Sequence, residues 1–233
     1  MAFPGTREDF LNYIVKWVLN PESERGLVIL GQAGTGKSSI THEVAHIFDR
    51  KCLGSYFSFL RMEQSKEEAY HLFTTLARAL SDRYPAFKLA LGRVLESNSS
   101  LRSTRDYARL FEWLFLEPLK NLKVDEPILS VIDALDESGD AVGKTGLHTF
   151  LAQHLFDLPS KFRVLITSRP ENGIESAFAN ALSVRTFHMD DTILAAKTEQ
   201  DIGLYLKSEL PEDIFKDHGS VDSSHPILPT AMS

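Results

Sequence analysis

Cysteine is nearly missing from this 233-residue chain: Cys52 stands alone, so no intrachain disulfide can form. Next to an apolar segment, that thiol reads as a small buried hydrophobe. No apolar run approaches the ~20 residues of a membrane span. The start, Met1-Ala2-Phe3-Pro4-Gly5, lacks the charged and apolar regions of a secretory leader. Lysine- or arginine-rich runs are absent as well. With a formal net charge of -7, this argues against a general binder of nucleic-acid backbones. There is no internal repeat. What remains is a chain with 43% apolar residues, enough for a substantial core, and the expectation is a cytoplasmic protein without membrane or nucleic-acid partners.

The most informative segment is Gly31-Gln32-Ala33-Gly34-Thr35-Gly36-Lys37-Ser38, directly after the apolar run Leu27-Val28-Ile29-Leu30. It fits G-x-x-x-x-G-K-[ST], the phosphate-binding P-loop or Walker A motif. Glycines let the backbone wrap an anion and turn several N–H groups toward phosphate oxygens. Lys37 is placed to reach the β- and γ-phosphates and the Ser38 hydroxyl to hold Mg²⁺. Ser39 joins the nucleotide-binding set at the start of the helix that follows.

Apolar runs and helical spacings alternate along the chain. Residues 8–19 carry Phe10, Leu11, Ile14, Val15 and Val18 at helical spacing, and Asn20-Pro21 ends that helix. Strands are expected at Gly26–Leu30, Leu53–Leu60, Ile128–Ile132, Phe162–Thr167 and Ser183–Phe187. Between them, Ser65-Lys66-Glu67-Glu68 is a capping box, Pro85–Glu96 a helix, and Ser103–Asp106 a cap-like start for Tyr107, Leu110, Phe111 and Leu114. Further helices are expected at Gly146–Phe156, Ile174–Asn180 and Thr198–Leu210. This pattern predicts an α/β fold with a mainly parallel sheet covered on both faces. It divides into an upstream helix (1–25), a nucleotide-binding core (26–210) and a loose, proline-interrupted tail (211–233).

Ile132-Asp133-Ala134-Leu135-Asp136-Glu137 ends one apolar strand with three acids in five residues. Beside a P-loop, Asp133 reads as the Walker B acid that holds Mg²⁺, through water. Asp136 and Glu137 follow, where a carboxylate can orient and deprotonate an attacking water; the spacing does not choose between them. Thr167-Ser168-Arg169-Pro170 ends the next strand, and Arg169 is placed to sense or stabilise charge at the γ-phosphate.

Taken together, the G-x-A-G-T-G-K-S loop, Asp-Ala-Leu-Asp-Glu and Thr-Ser-Arg-Pro resemble the NACHT family, P-loop NTPases of the signal-transducing STAND class. The flavour is that of the NACHT modules of large fungal proteins, where Pro4-Gly5-Thr6-Arg7-Glu8, Trp17 and Pro118-Leu119 have close counterparts. The resemblance covers residues 4–210. It implies a five-stranded parallel sheet in the order 5-1-4-3-2, with ATP or ADP and Mg²⁺ at the strands' C-terminal ends. It also implies a switch between ADP-bound closed and ATP-bound assembling states, and an approach of Arg7 to the nucleotide. Family members continue into a helical subdomain and a winged helix that close over the nucleotide, and pair with effector or repeat domains that recruit protein partners. None is recognisable here, so a monomeric, slowly hydrolysing module of a signalling switch is expected, from a truncated or fragmentary product or a short paralogue, between which the sequence does not choose. Two alternatives stay open: a nucleotide-binding interaction module without turnover, and a small-molecule P-loop kinase. No [NT]-K-x-D motif favours guanine, and no L-S-G-G-Q run marks an ABC-type ATPase.

Overall fold

The computed structural model describes residues 7–49, 51–60, 68–102, 104, 106–120, 122–138 and 146–189. Five strands occur in it: β1 (Gly26–Leu30), β2 (Leu53–Ser58), β3 (Ile128–Asp133), β4 (Phe162–Ser168) and β5 (Val184–His188). Helix α1 (Arg7–Leu19) precedes β1, and α2 (Lys37–Phe48) joins β1 to β2. Between β2 and β3 come α3 (Glu68–Arg83), α4 (Pro85–Ser97), α5 (Tyr107–Phe111) and α6 (Glu117–Lys120); α7 (Leu147–His154) and α8 (Asn172–Ala179) flank β4. All neighbouring strands pair in parallel, in the order β2-β3-β4-β1-β5. Read from the other edge, this is 5-1-4-3-2, the order that the family resemblance implies.

Alternation along β1 sorts the core into two layers. Leu27 and Ile29 face α1 and α2, packing with Phe10, Ile14, Trp17, Ile40, Val44 and Phe48. Val28 and Leu30 face the opposite layer, where Leu72, Phe73, Leu110 and Phe111 pack with residues of α7 and α8. Each side chain of a strand points to the face opposite its neighbour's, and with helices on both faces every residue of β1, β3 and β4 is buried. Phe73 of α3 and Phe111 of α5 therefore belong to the core, with Tyr107 packed against it. Asp106 caps α5 as its spacing predicts, Oδ1 accepting from Ala108 N at 3.0 Å.

The structure departs from the sequence pattern in three places. The helical run after Tyr107 contains a wide turn, Glu112–Leu116, in which Glu117 N donates to Glu112 O. Pro118 has no N–H to offer the carbonyl of Leu114, so a wider turn precedes it. The helix expected over Gly146–Phe156 tightens at its end into the 3₁₀ turn Leu155–Asp157. The second strand stops at Ser58 rather than Leu60. Ser65 of the capping box, the helix expected at Thr198–Leu210 and the tail 211–233 lie outside the described residues. Cys52 is buried next to β2, and burial pushes its thiol up to about 11, so it stays protonated and unreactive at neutral pH. Among the described residues, no helix is long and apolar enough to cross a membrane.

A buried cation was not foreseen. Arg163, on β4, is 1% exposed, and burial followed by the charge of Arg25 holds it below the ordinary arginine range. Its guanidinium donates to Asn20 O at 2.7 Å, Pro21 O at 3.2 Å, Ser160 O at 2.5 Å and Phe162 O at 3.1 Å, pinning the α1–β1 turn to the sheet. Arg163→Met keeps the apolar stem and removes the guanidinium from all four carbonyls, of which Asn20 O keeps the Ser23 N–H at 3.1 Å. We expect a loss of about 3 kcal/mol of unfolding free energy, read from the urea midpoint, with Arg163→Lys intermediate because one ammonium cannot span the fork.

Candidate nucleotide site

The parallel strands deliver their C-terminal ends to one edge of the sheet, and the functional motifs emerge there. The P-loop leaves β1 and returns as α2. Gly34 (φ +83°) and Gly36 (φ +87°) both take the left-handed backbone that side chains resist. Thr35, between them, donates its hydroxyl to Gln32 O at 2.9 Å and closes the turn. Lys37, the first residue of α2, folds back over the loop and donates to Gly31 O at 2.5 Å and Gln32 O at 2.8 Å. The first N–H groups of α2 lack intrahelical acceptors, and the helix dipole makes this end positive. Gln32, Ala33, Gly34, Ser38 and Ser39 are exposed, so the rim of the loop is open to a ligand. The architecture is that of an anion cradle.

β4 runs between β1 and β3 and ties the two halves together. Gly31 N donates to Ser168 O at 3.1 Å, joining the loop to the end of β4. Across the other edge of β4, Thr167 donates its hydroxyl to Asp133 Oδ1 and accepts from Ala134 N at 3.1 Å. Ser58, at the end of β2, donates to Asp133 Oδ2 at 3.4 Å. The Asp133 residue is 3% exposed. Ala134 then turns left-handed (φ 58°, ψ 47°), a conformation that strains a residue with a Cβ. That turn reverses the chain into the short 3₁₀ segment Leu135–Glu137.

Asp136 and Glu137, equivalent in the sequence, differ in space. The Asp136 side chain is 5% exposed; its Oδ1 accepts from Arg169 N at 2.9 Å and from Ser168 Oγ at 3.4 Å, and its Oδ2 lies 3.3 Å from Arg169 Nε. Glu137 is 22% exposed and meets only the tip of the same guanidinium, at 3.6 Å. One carboxylate anchors the backbone and root of Arg169, while the other rests loosely against its end.

The structure thus brings Gly31, Lys37, Asp133, Asp136, Glu137 and Arg169 to one end of the sheet. The side chain of Arg7, at the start of α1, lies outside the described residues. Sequence reasoning assigned no part to Ser58 and none to Thr167 as a partner of Asp133. A hydroxyl at the end of each strand flanking the Asp133 strand was the available signal.

Residues 5–169 match the family described as "Nephrocystin 3, N-terminal", a span that holds every candidate site residue and ends on Arg169. No curated protein sequence matches the chain. Among solved structures, Cdc6p from Pyrobaculum aerophilum is 18% identical, with a TM-score of 0.47, over 80% of this chain and 46% of that one. The signal transduction ATPase with numerous domains (STAND), a protein with a tetratricopeptide repeat sensor from Pyrococcus horikoshii, is 16% identical, with a TM-score of 0.46, over 90% of this chain and 26% of that one. The chain therefore spans less than half the length of either protein. The loop on β1, the acid ending β3 and the 5-1-4-3-2 parallel sheet bear out the P-loop NTPase module of NACHT/STAND type expected from the motifs. With the matched span extending over more than half of its length, the chain belongs to the nephrocystin 3 N-terminal family.

Proposed function

We propose that the chain binds Mg·ATP at the β1–α2 turn and hydrolyses it slowly, as the nucleotide module of a signalling switch. The observation that carries this reading is the Lys37 ammonium poised on the Gly31 and Gln32 carbonyls at the positive end of α2. Phosphate oxygens compete well for that ammonium because they carry full charge where the carbonyls carry a dipole. Exposed Ser39 stands at the same helix terminus.

The donor set fits magnesium. Ser38 and Asp133 supply a hydroxyl and a carboxylate, both hard oxygen ligands. Among the described residues, no cluster of three His, Cys, Asp or Glu side chains forms an all-protein cage. Magnesium characteristically takes one or two carboxylates and completes its shell with phosphates and water. Bound there, it would neutralise charge on the β- and γ-phosphates. Glu137, the more exposed acid, then orients and deprotonates the attacking water; Asp136 holds Arg169 in place, and Arg169 turns its guanidinium toward the γ-phosphate.

A second reading, binding without turnover, is favoured by one contact: Glu137 faces Arg169 at 3.6 Å, which draws on the charge a base needs. Phosphate release separates the two. We expect turnover of ~10⁻⁴ to 10⁻² per second, the range of switch-type enzymes that lack a supplied arginine finger, and no ATP-driven oligomer in light scattering. ATP is expected to displace labelled ATP better than GTP does, since no guanine-reading motif is present. Asp133→Asn should weaken magnesium-dependent binding by about tenfold or more, measured as the ratio of ATP affinity with Mg²⁺ to that in EDTA. Retention of bound nucleotide with no phosphate release would leave the binding module as the answer.

A further inference from the structure

Thr167 is fully buried between β3 and β4, and its hydroxyl makes two bonds of opposite sense. A threonine hydroxyl carries one proton and two lone pairs. The Ala134 N–H can only donate, so the hydroxyl accepts there. An ionised Asp133 can only accept, so the hydroxyl proton points at Oδ1. Both roles are thereby fixed, and so is the carboxylate plane: Oδ1 is engaged by Thr167, and Oδ2 remains, with Ser58 Oγ 3.4 Å away. The same hydroxyl holds the amide that begins the left-handed turn at Ala134. One residue further along β4, the Ser168 carbonyl binds the P-loop amide of Gly31. The adjacent residues Thr167 and Ser168 therefore link the acid strand to the phosphate loop, one by its side chain and the other by its carbonyl.

We propose that Thr167 is a positioning residue that orients the Asp133 carboxylate for the divalent cation of Mg·ATP, an inference that rests on the nucleotide reading above. It acts through Asp133 and touches neither nucleotide nor cation. Hydrogen-bond partners of metal-ligating groups set ligand orientation and basicity, and their loss costs 10–100-fold in metal affinity in general.

The test compares Thr167→Val, which keeps the shape and removes both bonds, with Thr167→Ser, which keeps both. ATP affinity is measured by calorimetry with Mg²⁺ and again in EDTA; their ratio is the magnesium-linked gain. In Thr167→Val we expect the gain to fall about tenfold while affinity in EDTA stays within about twofold of the parent, and Thr167→Ser to restore it. In an Asp133→Asn background, Thr167→Val should lower the gain no further. Should the valine variant fail to fold, Thr167→Ala, which leaves room for water, carries the same expectation. The proposal is overturned if the gain survives loss of the hydroxyl, if affinity in EDTA falls equally, or if serine fails to rescue. A parent chain with no gain sinks the metal reading and this proposal together; a parent with a gain that valine leaves untouched sinks only the role of Thr167.

Discussion

Lys37→Ala is expected to weaken Mg·ATP binding by at least ~10²-fold, because each charge-assisted hydrogen bond to a phosphate is worth about 1.5–3 kcal/mol and more than one is lost. Stability should change far less, for two opposing reasons. The mutation removes the bonds to Gly31 O and Gln32 O, which are partly exposed. It also removes a cation from the first turn of α2, where the helix dipole is already positive, and so relieves an unfavourable interaction of roughly 0.3–1 kcal/mol. Calorimetry and thermal unfolding on one preparation separate the effects. Lys37→Arg should fail to restore binding, since the planar guanidinium cannot replace a compact ammonium inside the loop. If alanine binds ATP as tightly as lysine, the loop is not a phosphate cradle in this chain.

The reason this residue could be named from the sequence is that a P-loop is local. Its glycines, lysine and serine sit within eight consecutive residues, and each is dictated by backbone geometry or phosphate chemistry. The strands were legible for a related cause: buried parallel strands are mostly apolar, and β1, β3 and β4 read that way. Sheet order was not in the periodicity. It came with the family resemblance, because order is a property of long-range pairing that no local window contains.

The different settings of Asp136 and Glu137 were out of reach for the same reason. It is decided by Arg169, 33 residues beyond Asp136, and by a left-handed alanine that no composition rule expects. Arg163 was equally hidden. Nothing in the run Phe162–Thr167 marks it, and its acceptors are backbone carbonyls, which every residue carries. Side chains that bind backbone leave no mark in their partner's residue type.

Glu137→Gln is expected to leave Mg·ATP affinity near the parental value and to lower turnover by about 10²–10⁴-fold, the usual contribution of a positioned general base. Asp136→Asn should differ in kind. Asparagine still presents an oxygen to the Arg169 N–H, so the backbone of the Thr167–Pro170 turn stays anchored, but the charge opposite Nε is gone. Arg169 then has Glu137 as its one remaining carboxylate in this cluster, and the guanidinium is expected to settle closer to it. Turnover should fall by less than in Glu137→Gln, because Glu137 is still present as the base while Arg169 is drawn onto it and away from the γ-phosphate. Parental turnover is slow, so the comparison is best made in a single turnover, following bound γ-labelled ATP over hours and resolving phosphate from nucleotide. Glu137→Gln should retain intact ATP longest, Asp136→Asn should lie between it and the parent, and Arg169→Ala should lose the cation proposed to face the γ-phosphate along with the contact to Glu137. If Asp136→Asn abolishes hydrolysis while Glu137→Gln spares it, the roles are reversed: the buried acid then faces the water, and the exposed one only tethers the arginine.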